Sequence, residues 1–113
     1  LLILLIVGFV LAAKRTLILE NWVTLTLSVL ALHTGGFSLG YWIAILFGLS
    51  KEERRTLSIE VGMQNSGLGT SLATDYFGKA SMVPAPCALS AVMHCLIGSF
   101  LAIRWRGRNP KER

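Results

Sequence analysis

Cysteine is scarce in this sequence, with Cys87 and Cys95 alone among 113 residues. On one helix, eight residues at about 1.5 Å each set them roughly 12 Å apart. A disulfide needs Cα atoms within about 7 Å, so the two do not pair within an intact helix. No CxxC or HxxxH accompanies them, and the adjacent His94 and Cys95 point to different sides of a helix, a poor arrangement for a metal. Both cysteines are expected to be small, buried, apolar residues. No nucleophile–base pair stands at usable spacing, which argues against an enzyme. Aromatic residues are not interleaved with the basic ones, so the net charge of +5 does not describe a nucleic-acid surface.

A positive leader is missing too. Leu1 to Ala13 is a continuous apolar run with no basic residue ahead of it. A signal peptide requires one, so the small residues Leu11-Ala12-Ala13 are not read as a cleavage site. At about 1.5 Å per residue the run is too short to cross ~30 Å of hydrocarbon. It is expected to be a truncated helix, and the chain to be the C-terminal part of something longer. What the sequence holds in abundance is apolar. Hydrophobic residues make up 53% of it, its mean hydropathy is +0.61, and its charges fall in short clusters between apolar runs. Spans of about 20 apolar residues with charged punctuation mark a membrane protein.

The expected fold class is therefore an all-α membrane protein, a bundle of about three full transmembrane helices after the truncated first one. The first helix covers 1–13, the spans cover 22–49, 56–77 and 85–103, and a basic tail covers 104–113. In the second span Gly36 and Gly40 have the small-xxx-small spacing that lets helices approach closely. His33 and Thr34 beside them could line a polar interior, although a histidine hydrogen-bonded to a neighbouring helix is the commoner outcome. Trp22 suits an interfacial anchor. Lys14 to Asn21 and Ser50 to Arg55 are expected connections, with Ser50 as N-cap and Glu53 placed as in a capping box. Pro84 and Pro86 fit the first turn of the last helix. By the positive-inside rule the tail, with Arg104, Arg106, Arg108, Lys111 and Arg113, is cytoplasmic. The Lys51–Arg55 connection then lies inside and Lys79 outside. Lys14 and Arg15 also fall outside, a modest departure from the rule.

One polar run interrupts the oil. Ile59-Glu60-Val61-Gly62-Met63-Gln64-Asn65-Ser66-Gly67-Leu68-Gly69 puts a carboxylate, two carboxamides, a hydroxyl and three glycines inside the third span. A charged side chain at mid-depth costs roughly 2.5–3.5 kcal/mol on insertion scales, so such a residue is a functional candidate by default. Broken backbone at that depth is tolerated where it is buried in protein or lines a watery cavity. Glu60 and Gln64, four apart, share a face of a helix. If the helix unwinds through Gly62, the carbonyls of Val61 and Met63 are freed to become ligands. That set is hard, all-oxygen and singly anionic, which suits sodium better than a transition metal. Past the break, the N-terminus of a second half-helix near Asn65, Ser66 and Gly67 favours an anionic substrate. Half-helices meeting at mid-depth are the logic of secondary transporters. The bland alternative is an interhelical clamp of Glu60 and Gln64 with no ligand.

The stretch from Thr56 to Gly69 resembles the signature of the bile acid:sodium symporter family. Leu32-His33 followed by Gly35 and Gly40, and His94 with Gly98-Ser99, support the resemblance, which covers essentially the whole chain. It implies an inverted-repeat transporter of ten helices with a panel and a core domain. This chain would supply the end of the seventh helix, in the panel domain, and the eighth to tenth, in the core (22–103). It further implies that Glu60 serves two sodium ions and that Gln64, with the carbonyls of Val61 and Met63, completes the second site. Asn65 would face the substrate, with Ser66 beside it, and His94 would lie close to the cavity. Where the family frequently has an asparagine after that histidine, this chain has Cys95.

The expected function is sodium-coupled symport of a small organic anion, such as a bile acid or a pantothenate-type compound. It would operate in the cell's inner (plasma) membrane, with the lipid bilayer and a missing N-terminal half as partners. Its rival is a non-transporting membrane subunit or remnant that packs with a partner half through Gly36 and Gly40.

Overall fold

Side-chain caps fix where two of these helices begin, at Ser50 and at Asn65. The computed structural model describes residues 2–106, with the backbone alone at residues 2–4, 6 and 7. It contains helices α1 (Leu2–Ala13), α2 (Arg15–Glu20), α3 (Trp22–Leu46), α4 (Lys51–Gly62), α5 (Ser66–Phe77) and α6 (Pro84–Arg106), with no strand among the described residues. Arg108, Lys111 and Arg113 of the basic tail lie outside the described residues, and Arg104 and Arg106 belong to α6.

The connections are more helical than the sequence reading expected. Lys14 to Asn21 contains the short α2. The charged stretch after Ser50 is the start of α4, because the capping box is complete. The Ser50 Oγ accepts the N–H of Glu53 at 3.3 Å, and Glu53 Oε2 accepts the N–H of Ser50 at 2.8 Å. Glu52 and Glu53 also suit the positive end of the helix. Ser50→Ala is expected to cost about 1 kcal/mol of stability, read as a lower unfolding temperature in detergent. The Ser50 N–H and then its hydroxyl hold the Glu53 carboxyl below its ordinary value. This contribution is present above the ordinary carboxylate range and is lost as pH falls through the lowered value. At the other end of the connection, α3 stops at Leu46 and not near Leu49. Gly48 adopts φ +68°, and the Leu49 N–H reaches back to the Ala44 carbonyl at 3.0 Å, as in a Schellman turn.

Among the described residues two helices, α3 and α6, are long and apolar enough to cross a membrane. A core helix of a soluble protein would bury its apolar residues. Here only 28% of the most apolar window of α3 and 17% of that of α6 are buried, with Leu27, Trp42, Leu96, Phe100 and Ile103 all exposed. An apolar surface of that extent belongs against lipid or protein. The third span is broken into α4 and α5, each of 12 residues and each too short to cross alone.

Glycines set the seam between α3 and α4. A Cβ on Gly36 would lie 3.0 Å from the Val61 carbonyl oxygen, and one on Gly40 would lie 2.7 Å from that of Leu57. The Ser58 hydroxyl, buried in this seam, donates to the Phe37 carbonyl at 2.7 Å. At one end of the bundle, Trp105 of α6 stacks on Tyr41 of α3 and lies beneath the Arg55 guanidinium of α4. At the other, Lys14 donates to the carbonyls of Lys79 and Ser81, the latter at 2.8 Å. The central charged segment therefore shares an end with Arg104 and Arg106, while Lys14 shares an end with Lys79.

Candidate ion and solute site at the helix break

The third span breaks where its polar residues fall. α4 ends at Gly62, Met63 is extended (φ −89°, ψ 120°), and α5 begins at Ser66. Asn65 starts the second half as its N-cap, its Oδ1 accepting the N–H of Leu68 at 3.1 Å. On the first half, Gly62 packs so closely on the buried Phe37 ring that a Cβ there would lie 2.3 Å from it. His33 stands midway along α3 and bonds the Gly62 carbonyl, so the break lies near the middle of that span.

Glu60 sits in the last turn of α4 and is exposed. The residues of α4 that meet the α3 glycines are Leu57, Ser58, Val61 and Gly62, and at 100° per residue Glu60 lies off that face. Its carboxylate has no hydrogen-bond or ion-pair partner among the described residues. It also stands at the negative end of a helix, where about half a negative charge is already present, and no basic residue occupies the last turn. Both effects draw a cation.

The two carboxamides are engaged in opposite senses. Gln64 Nε2 donates to the Val61 carbonyl at 3.0 Å, and the Gln64 Oε1, an acceptor, has no donor among the described residues. Asn65 spends its oxygen on the cap, and its Nδ2, a donor, has no acceptor among the described residues. Two sequence expectations change here. Glu60 and Gln64 do not share a helical face, because the helix ends between them at Gly62. The Val61 carbonyl is not free, because the Gln64 amide covers one of its two lone pairs. The Met63 carbonyl has no donor among the described residues.

Gln64, Asn65 and Ser66 line one cavity of about 290 Å³ with Ser28, Cys87 and Ser90. Ser66 is buried, and its hydroxyl donates to the Ser90 Oγ at 3.1 Å. Glu60 and His94 do not line this cavity. His94 is buried with its ring edge-on to that of His33, centroids 5.3 Å apart, and its Nδ1 has no partner among the described residues. His33 is wholly buried and hydrogen-bonded to neighbouring helices, the commoner of the two outcomes weighed for it. Ser28 and Ser90 were not anticipated. A signal for Ser90 existed: it stands four residues before His94, on the same face of α6. Cys95 is exposed and Cys87 half-buried, contrary to the expectation that both are buried. His94 takes the inward position, and the next residue is turned about 100° away.

The fold and the break define an all-α membrane segment built around a discontinuous helix. No family model matches the chain. It is 41% identical over 105 residues to the probable sodium/metabolite cotransporter BASS1, chloroplastic, of Arabidopsis thaliana, covering 93% of this chain and 26% of that protein. It is 41% identical over 108 residues to the uncharacterized sodium-dependent transporter YocS of Bacillus subtilis (strain 168), covering 95% of this chain and 33% of that one. The probable sodium/metabolite cotransporter BASS2, chloroplastic, of Oryza sativa subsp. japonica is 43% identical over 84 residues, 74% of this chain and 20% of the relative. The chain thus spans between a quarter and a third of the length of the first two. It is a homologue of sodium/metabolite cotransporters, the BASS proteins, which match the bile acid:sodium symporter family that its Glu60 run resembles.

Proposed function

We propose that the break is one half of the ion and solute site of a sodium-coupled symporter for a small organic anion, of the bile acid or pantothenate kind. In a protein of its relatives' length, the preceding sequence would supply the other half. The observation that carries this reading is the opposed engagement of Gln64 and Asn65: side by side, one offers an oxygen and the other an N–H. A cation is held on the α4 side by Glu60, the Gln64 Oε1 and the carbonyls of Val61 and Met63. These donors are hard oxygens carrying a single charge, which fits sodium. An anion is held on the α5 side by the Asn65 Nδ2 and the positive end of the half-helix, with Ser66 and His94 nearby. The names of the relatives, sodium/metabolite cotransporter and sodium-dependent transporter, support the coupling.

Coupling follows from the shared backbone. Sodium neutralises Glu60 and fixes Met63 and Gln64, and the same three-residue turn presents Asn65 to the anion. The end bearing Arg55, Trp105 and Arg106 faces the cytoplasm, across the cell's inner membrane, by the positive-inside rule.

The test is thermal stabilisation of the full-length protein by a panel of organic anions. An anion that stabilises in sodium and has no effect in potassium is expected. Stabilisation that is indifferent to the cation would overturn the coupling. Gln64→Ala is expected to raise the sodium concentration for half-maximal stabilisation about tenfold, the loss of one charge-assisted ligand. An unchanged sodium midpoint would move the ion away from Gln64.

A further inference from the structure

Four polar groups join the two ends of the broken helix through other helices. The Gly62 carbonyl, at the end of α4, lies 2.8 Å from the Nδ1 of His33 on α3. The other ring nitrogen of His33, Nε2, lies 2.6 Å from the Ser90 Oγ on α6. Ser90 in turn accepts the hydroxyl of Ser66, the first residue of α5, at 3.1 Å. A carbonyl oxygen only accepts, so Nδ1 carries the proton. In neutral imidazole Nε2 is then an acceptor and takes the Ser90 hydroxyl proton. Donation runs one way, from Ser66 to Ser90 to His33 to Gly62, and every donor finds an acceptor.

We propose that His33 is the positioning residue of the break, fixing the end of α4 relative to the start of α5. Three observations lead there. His33 is fully buried, so water does not compete for its bonds. It touches the last residue of one half-helix directly and the first residue of the other through one serine. Within Met63–Asn65 the Gln64 side chain bonds Val61, the Gln64 carbonyl accepts the Ser66 N–H at 2.9 Å and the Asn65 side chain caps Leu68. These are local bonds along one stretch of chain, whereas His33 braces the two half-helices from a separate helix. The residues that His33 hydrogen-bonds, Gly62 and Ser90, are neighbours of the sodium and anion donors, and its ring also meets that of His94. As a determinant of sodium affinity, the role rests on the site proposed above. As a determinant of backbone geometry, it does not.

The experiment uses the full-length protein and two readouts. Amide hydrogen exchange over Met63–Leu68, without sodium, reports the break itself. The sodium dependence of uptake, separated into its midpoint and its maximal rate, reports the consequence. His33→Ala is expected to speed exchange over Met63–Leu68 about thirtyfold, the loss of its two buried hydrogen bonds, and to raise the sodium midpoint by a similar factor. The maximal rate at saturating sodium should change little. His33→Asn, whose amide N–H can replace Nδ1–H toward Gly62, should recover much of both effects. Ser90→Ala, a milder change that leaves the His33–Gly62 bond in place, should speed exchange chiefly at Ser66–Leu68. Faster exchange with an unchanged sodium midpoint would keep His33 as the clamp and count against the sodium site instead. Unaltered exchange at Met63–Leu68, or a uniform increase across α3 and α6, would overturn the clamp.

Discussion

Glu60→Gln is expected to abolish sodium-driven uptake by the full-length protein while leaving its insertion intact. The expectation rests on where the carboxylate stands. It has no partner among the described residues, it lies off the seam with α3, and it adds its charge to the negative end of α4. Without a counter-charge this arrangement is unfavourable twice over, first by desolvation and then by the helix dipole. A sodium ion bound there would relieve both. Glutamine keeps the volume and one oxygen but removes the charge, so the loss reads the electrostatic part alone. Losing a charge-assisted ligand costs about 1.5–3 kcal/mol, which corresponds to a roughly ten- to hundredfold loss of sodium affinity. Glu60→Ala should match it in uptake, with insertion normal or improved. Uptake at wild-type rate and sodium midpoint in either variant would remove Glu60 from the ion site.

Which parts of this arrangement were legible in the sequence is a matter of range. Composition and the spacing of apolar runs are enough for an all-α membrane protein, because a span is a property of some twenty consecutive residues. The break was legible for a similar reason: glycine, carboxamides and a carboxylate inside an apolar run have few other uses. The end of α3 was not. It depends on Gly48 adopting a left-handed conformation, which a sequence of apolar residues on both sides does not announce. The start of α4 was half legible, since the Ser50 and Glu53 spacing is a local signal, whereas the charged run to Arg55 carries no apolar pattern that would mark a span before Thr56. The engagement of the carboxamides was out of reach. Gln64 turning back to Val61 depends on where the helix stops, and a side-chain amide reverses role with one rotation. Long-range partners such as Ser90 require knowing that α6 packs across the break, which no periodicity in α4 or α5 contains.

Replacing glycine by alanine along α3 should change sign with position, and this is the sharpest test of the helix seam. Alanine is favoured over glycine in a helix by about 1 kcal/mol, so an unobstructed site gains. Gly35 is such a site, with nothing within 4 Å of an added Cβ. Gly35→Ala should therefore raise the unfolding temperature or leave it unchanged. Gly40 is the opposite case. Its Cβ would meet the Leu57 carbonyl oxygen at 2.7 Å and the Ser58 Cα at 3.1 Å, and backbone atoms do not swing aside as a side-chain tip does. The helices must part, at a cost of about 1–3 kcal/mol for the extra methyl. Gly40→Val should be worse, since the branched side chain enlarges the obstruction. Parting α3 from α4 also stretches the Ser58–Phe37 and His33–Gly62 hydrogen bonds, so the damage reaches the break. Gly40→Val is therefore expected to lose both thermal stability and sodium-dependent stabilisation, whereas Gly35→Ala keeps both. Equal tolerance at the two positions would mean that α3 and α4 do not approach through Gly40. The route by which packing on α3 fixes the geometry of the break would then be lost with it.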